Sequence, residues 1–182
     1  MMAEPAVEFR RLDRTELSRI VEIDRRERIY VLYEQHGTQL VARHGNWRAS
    51  AWDPDGNLEH SVGAKMHELQ RYAGTGGVAL GALASGRLVG IGVVVPHLRG
   101  GIAQLPFLHV SASFRARGIG SRLFEQLEEI ARAAVDSEMV VSATPSENTV
   151  RFYLGRGFQP MADPLPELFV VEPEDVHMRK IL

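Results

Sequence analysis

Apolar residues follow two rhythms along this chain, and the change from one to the other outlines its elements. Val78 to Ala84 and Arg87 to Val95 are dense apolar runs separated by Ser85-Gly86, which predicts a hairpin, and Ile102 to Val110 adds a third adjacent strand. From Ile119 the apolar positions Leu123, Leu127, Ile130, Ala131 and Ala134 recur at helical spacing. Met139 to Ala143 then reads as a buried strand. Upstream, Val7 to Leu12 predicts a short strand, and Asp13 or Thr15 starts a helix with the stripe Leu17, Ile20, Val21 and Ile23. The pattern then lapses over about 24–62. There Ile29–Tyr33 and Gln39–Ala42 flank Gly37 as a hairpin, and Asn46 to Asn57 is a polar loop holding Trp47 and Trp52. Val62 to Tyr72 predicts a helix ended by Gly74-Thr75-Gly76-Gly77, and Leu168–Val171 and Val176–Ile181 read as two final strands. The order predicts an α+β, α/β-layered fold in which a mixed, mostly antiparallel central sheet is flanked by helices. The expectation is one domain over 1–182 with an irregular insert at about 24–62.

Two stretches carry chemistry. Arg115-Ala116-Arg117-Gly118-Ile119-Gly120 fits R-x-x-G-x-G and joins a strand to the start of an amphipathic helix. Such a turn gathers unpaired backbone N–H groups at the positive end of a helix, which suits a phosphate or pyrophosphate. Glycine keeps a Cβ from holding phosphate oxygens off the backbone. A P-loop is excluded because Gly120-Ser121-Arg122 lacks the lysine, and the dinucleotide fingerprint G-x-G-x-x-G is not met. About thirty residues on, Thr144-Pro145-Ser146-Glu147 fits a capping box with proline at the first helical position. The helix carries Asn148, Phe152 and Tyr153 and closes at Gly155-Arg156-Gly157-Phe158.

Together the two stretches resemble the GCN5-related N-acetyltransferase (GNAT) superfamily, whose hallmarks are R/Q-x-x-G-x-G/A and, downstream, N-x-x-x-x-Y-x-x-x-G-F. Asn148, Tyr153, Gly157 and Phe158 match the second, and the resemblance covers roughly 77–160. It implies a sheet splayed between its two central strands, 104–110 and 138–143, with acetyl-CoA as co-substrate in the gap. It further implies that Arg115, Ala116, Arg117, Gly118, Ile119, Gly120 and Ser121 hold the pyrophosphate, and that Leu108, His109 and Val110 hold the pantetheine arm. Asn148 contacts the same arm, and the Val110 N–H is the expected donor to the thioester carbonyl. Tyr153 is the expected general acid for the departing thiolate, since a phenol of pKa ~10 can donate to a thiolate of pKa ~8.5. Tyr153 also contributes to the cofactor site.

The general base is left open. Relatives often carry an acid on the strand before the turn, where Gln104 stands here and cannot serve. Strict alternation puts Gln104, Pro106, Leu108 and Val110 on one face and Phe107 and His109 on the other. His109 has the chemistry of a base but reaches the site only if a bulge turns it. Glu27, Glu68 and His67, in the region the resemblance matches poorly, could approach from the substrate side, and a water chain is another alternative.

Composition limits the rest. The chain has 182 residues and a net charge of −2, so no global field would recruit nucleic acid or an anionic membrane. It has no cysteine, which excludes a thiolate metal site and a cysteine acyl-enzyme. His36, His44, His60 and His67 lack metal-ligand spacing, and Asp53-Pro54-Asp55-Gly56-Asn57 reads as a turn rather than a calcium loop, so no metal is expected. Without a signal-like or spanning run at the start of the sequence, a cytoplasmic location is the expectation. The expected partner is a primary amine of a small molecule or peptide; a homodimer stays open. The reading is an acetyl-CoA-dependent N-acetyltransferase working by direct transfer in a ternary complex. The alternative is an acyl-CoA-binding sensor or regulatory module without turnover.

Overall fold

The computed structural model describes residues 6–54, 56 and 60–182. Its elements are β1 (Val7–Leu12), a 3₁₀ helix (Arg14–Glu22), β2 (Glu27–His36), β3 (Gln39–Ala49), α1 (Val62–Gly74), β4 (Val78–Ala84), β5 (Arg87–Arg99) and β6 (Ile102–Val110). There follow α2 (Ile119–Ala133), β7 (Glu138–Ala143), α3 (Glu147–Leu154), β8 (Gln159–Pro160), α4 (Pro166–Phe169) and β9 (Val176–Ile181). Seven strands form one sheet in the order β1-β4-β5-β6-β7-β9-β8, while β2 and β3 pair only with each other. Every neighbouring pair in the large sheet is antiparallel except β6 and β7.

The buried apolar run of β4, β5 and β6 follows from cover on both faces. On one face Leu123, Phe124 and Leu127 of α2 pack with Val94, Leu105, Val141, Val150 and Phe158. On the other, Leu17 and Ile20 of the 3₁₀ helix and Leu69 of α1 pack with Ile91, Val93 and Phe107. Gly90 and Gly92 let α2 lie close on β5. A Cβ on Gly92 would stand 2.5 Å from the Leu127 side chain, and one on Gly90 about 3.0 Å from Ile119.

Four predicted elements differ. Residues 14–22 form a 3₁₀ rather than an α-helix, and Val21 is 54% exposed, so the apolar stripe reduces to Leu17 and Ile20 with Ile23 just beyond. The polar loop begins later than expected, because β3 continues through Trp47 to Ala49; the insert is therefore largely a regular hairpin. Of the predicted turn at 53–57, Asp55 and Asn57 lie outside the described residues. The helix after β7 starts at Glu147 with Ser146 as N-cap; Pro145 precedes it, and the Ser146 hydroxyl donates to Thr149 Oγ1 instead of accepting from the helix. Leu168 and Phe169 end a short helix behind Pro166, not a strand, since proline fixes φ for a first helical turn. Val176–Ile181 is the final strand as expected. Among the described residues, no helix is long and apolar enough to cross a membrane.

The 3₁₀ helix is fastened by charge. Asp13 accepts from the N–H groups of Thr15 and Glu16, and the Glu16 carboxylate accepts from the Asp13 N–H. Arg10 adds a two-pronged bond to Glu16 at 2.6 and 2.9 Å, and this bond is the main reason the Glu16 pKa falls from 4.5 to about 2. A depressed folded pKa contributes stability that is present above about pH 4.5 and is lost as pH falls toward 2. Thermal unfolding measured from pH 5 to pH 2 should therefore decline less steeply in Glu16→Gln than in wild type. Parallel slopes would mean that the pair contributes nothing in solution.

Candidate active site

The gap in the sheet begins where β6 and β7 part. Their parallel pairing covers only Ile102–Gln104 against Glu138–Val140. Beyond it, Leu105 and Pro106 together stand opposite Val94 alone, a β-bulge in β6, and Pro106 has no N–H to offer a neighbouring strand. Ser111 N–H donates to Val89 O at 2.8 Å, so by antiparallel alternation His109 and Phe107 also bond toward β5. The N–H and C=O groups of Leu108 and Val110 consequently point into the gap, which leaves a strand edge able to pair with an extended amide. Leu108 and Val110 send their side chains toward the α2 core.

The bulge also corrects the face assignment. Ala103 and Leu105 belong to the α2-side core, so Gln104 points the other way. After the extra residue, Phe107 is on that same opposite face, packed with Leu17, Ile20 and Leu69. Gln104 therefore shares a face with Phe107 and His109, not with Leu108 and Val110 as strict alternation required. The His109 ring lies 4.5 Å from the Phe107 ring and 6.1 Å from that of Trp52. Burial, reinforced by Lys65, Arg25 and Arg115, pushes its pKa down to about 3, so the ring is neutral across the physiological range.

The turn into α2 gathers backbone donors at an uncapped helix start. Gly118 is the N-cap at φ +76°, and Ala116 is also left-handed at +59°, so the loop holds a strained backbone. No side chain caps this end, and the N–H groups of Ile119, Gly120 and Ser121 have no carbonyl of their own helix in reach. The role of Gly120 differs from the simple expectation. A Cβ there would meet Phe152 at 3.3 Å and Val110 at 3.6 Å, so its smallness is needed where α2, α3 and β6 converge. The arginines of the motif turn elsewhere. Arg115 donates to the carbonyls of Val110, Arg25 and Arg26. The Arg117 and Arg122 guanidinium groups stack over Phe114 and Phe9. Arg156, which the sequence marks only as part of the close of the second motif, stands against the turn: it donates to Ser121 Oγ and covers the Phe152 ring at 3.4 Å.

Gap and turn open into one cavity of about 510 Å³. Of the residues expected to hold cofactor, Leu108, His109, Val110, Arg115, Ala116, Gly118, Ile119, Gly120, Ser121, Asn148 and Tyr153 all line it, and only Arg117 does not. Tyr153 is held by edge-on contacts with Phe152 and Phe158. Its hydroxyl bonds to no described residue, and burial raises its pKa above the ordinary phenol value. Asn148 donates to Glu27 Oε1 at 2.7 Å, so Glu27 faces the cavity and not the outer surface. Glu68 bonds Lys65 and Tyr72 on α1, and His67 is exposed.

A second pair stands at the apex of the gap, two residues beyond the last β6–β7 pairing. Ser142, which lines the cavity, is the direct partner of His177 in the β7–β9 ladder. Its Oγ lies 3.2 Å from His177 Nδ1, and His177 Nε2 lies 2.9 Å from the Glu172 carbonyl oxygen. A carbonyl only accepts, so Nε2 carries the hydrogen, Nδ1 is the acceptor, and the Ser142 hydroxyl donates to it. The two side chains lie opposite the face where Val141, Ala143, Val176 and Met178 enter the core. The Gln35 amide of β2 clasps the His177 backbone, accepting from its N–H at 2.8 Å. No sequence signal marks this pair, because register between β7 and β9 is not readable from either strand alone. Among the described residues no cluster of potential ligands could hold a metal ion.

Comparison with known proteins agrees with this geometry. Solved structures with the same fold include nourseothricin acetyltransferase, at TM-score 0.72 and 15% identity over 97% of this chain and 98% of that one. A putative streptothricin acetyltransferase from Bacillus anthracis, solved with acetyl coenzyme A, aligns at TM-score 0.69 and 14% identity over 97% and 99%. The PaiA N-acetyltransferase of Thermoplasma acidophilum, solved with coenzyme A, aligns at 0.62 and 17% over 97% and 99%. Comparison with curated protein sequences finds no match. The model of the Acetyltransferase (GNAT) family matches residues 22–158, and the chain belongs to that family.

Proposed function

We propose that the chain is a single-domain, acetyl-CoA-dependent N-acetyltransferase that moves the acetyl group directly to a primary amine in a ternary complex. The observation that carries this reading is the shared cavity, in which a β6 edge without a neighbouring strand, an uncapped helix end and a buried phenol face one space. In this reading the N–H groups of Ile119, Gly120 and Ser121 hold the pyrophosphate. The edge groups of Leu108 and Val110 pair with the pantetheine amides, and Asn148 exchanges its Glu27 bond for the same arm. Tyr153 protonates the departing thiolate. His109 forms an aromatic wall on the acceptor side with Phe107 and Trp52; a ring with a pKa of about 3 is a poor acceptor for an ammonium proton.

The structural neighbours named for nourseothricin and streptothricin acetylation make cationic amines the first acceptors to try. Nourseothricin, an aminoglycoside, a polyamine, amino acids and a peptide are offered with acetyl-CoA, and released thiol is read by a chromogenic reagent. A chain without cysteine gives no background in this assay. CoA release with at least one amine, and intersecting double-reciprocal lines, is the expected result. Tight acetyl-CoA binding with no release from any amine would mean an acyl-CoA-binding module instead.

A further inference from the structure

The transfer reading leaves open which group takes the proton of the acceptor amine, since Gln104 cannot, His109 stays neutral at a very low pKa, and the Glu27 carboxylate is held between the Asn148 amide and the Arg115 guanidinium at 3.8 Å. We propose that Ser142 and His177 form that acceptor: a proton relay at the apex of the splay, on the opposite side of the gap from β6. This inference rests on the acetyl-transfer reading above.

Three features carry it. Ser142 lines the cavity that Tyr153 also lines, and His177, which does not line it, is reached through the Ser142 hydroxyl. The Glu172 carbonyl fixes the tautomer that leaves Nδ1 free to accept, 3.2 Å from Ser142 Oγ. The imidazole is 2% exposed and held on its other flank by the Phe169 ring at 5.6 Å. Burial lowers the His177 pKa below its ordinary value, which keeps it ready to accept near neutral pH.

In the step, the acceptor nitrogen forms a bond to the thioester carbonyl carbon and loses one N–H proton to Ser142 Oγ. The Ser142 hydroxyl proton passes to His177 Nδ1, and the resulting imidazolium is stabilised by its Nε2–H bond to the Glu172 carbonyl. The carbon–sulfur bond breaks, and the thiolate takes the Tyr153 proton. Water then returns a proton to the phenolate and removes one from the imidazolium, leaving amide and free thiol. The charged groups on the elements around His177 include Arg179 and Lys180 of its own strand, paired with Glu138 and Glu128, Glu172 before it, and Glu167 of α4, paired with Arg99. Across from the Glu172 carboxylate stand Tyr72 and Glu68 of α1, while β2 presents the neutral Gln35.

The test uses the full chain and the panel amine that releases CoA fastest. Ser142→Ala and His177→Gln should each lower kcat about tenfold, a modest loss because a water in the vacated space restores part of the path. Both should leave the acetyl-CoA KM unchanged. In wild type kcat/KM should fall below a pH under 6.5 as His177 takes its proton; His177→Gln should lose that acid limb, while Ser142→Ala, where water stands in for the hydroxyl, should keep it at a lower kcat. Ser142→Thr keeps the hydroxyl and should keep kcat near the wild-type value. Nitrogen-15 spectra of wild type should show His177 as the Nε2–H tautomer. An Nδ1–H tautomer, an acid limb intact in folded His177→Gln, or an unchanged kcat in folded Ser142→Ala overturns the relay alone. Wild type that binds acetyl-CoA without turning over any amine overturns the transfer reading and the relay with it.

Discussion

Gly120→Asp should abolish the thermal stabilisation that acetyl-CoA confers on the wild-type protein. The N–H groups of Ile119, Gly120 and Ser121 lie at the uncapped start of α2, beside the cavity that Gly120 lines. An aspartate there sets a carboxylate at the helix end that a phosphate would occupy, and like charges repel at short range. Its Cβ also falls 3.3 Å from Phe152 and 3.6 Å from Val110, so the side chain crowds the meeting point of α2, α3 and β6. A ligand present at a hundred times its Kd stabilises the bound fold by about 2.7 kcal/mol, a rise in Tm of about 5–10 °C for a chain of this size. Wild type should show that rise and Gly120→Asp none. Gly120→Ala separates the two causes, since it adds the same Cβ without the charge and should keep most of the shift. Equal stabilisation of Gly120→Asp and wild type would remove the pyrophosphate from this turn.

The sheet could be read from sequence because covered strands and an amphipathic helix write their burial directly into residue type. The runs at 78–84, 87–95 and 102–110 and the stripe from Ile119 to Ala131 all bury what the pattern says they bury. Elements whose conformation is set by neighbours were less legible. Residues 168–171 are apolar like a strand, yet Phe169, Val170 and Val171 are 46%, 79% and 65% exposed and follow a proline that starts a helical turn. The hairpin around Gly37 is legible, but the far end of β3, through Ala49, is not, since nearly every residue there is exposed and the strand carries no alternation.

The site divides along the same line. The glycine turn and the phenol lie on local motifs, where glycine and aromatic spacing are visible in one dimension. The bulge at Leu105 and Pro106 is a relation between β6 and β5, and one extra residue moved Gln104 to the opposite face from that expected. Arg156, Glu27 and the Ser142–His177 pair meet their partners across 35 residues for Ser121, 121 for Asn148 and 35 within the pair. Contacts of that separation arise from register and topology, and residue type alone gives no hint of them.

Tyr153→Phe should lower kcat about 100-fold or more, the lower range for loss of a general acid, while acetyl-CoA affinity stays near the wild-type value. The ring sits edge-on to Phe152 and Phe158, and phenylalanine keeps those contacts, so the melting temperature should hardly move. What is lost is the hydroxyl, which bonds no described residue and opens on the cavity. Burial raises its pKa above the ordinary value of 10.0, with Arg156 opposing only in part, so the phenol stays protonated through the working pH range. A raised pKa makes the proton harder to remove in the resting site. Transfer therefore depends on the thiolate forming close by, where it cannot be solvated and is a stronger base than in water. The variant should accordingly lose rate at every pH from 6 to 9 by a constant factor, because no titration of Tyr153 falls in that window. Single-turnover measurement of CoA release, where product departure is not limiting, reads the chemical step directly. An unchanged single-turnover rate would assign Tyr153 to packing against Phe158 and leave protonation of the thiolate to water.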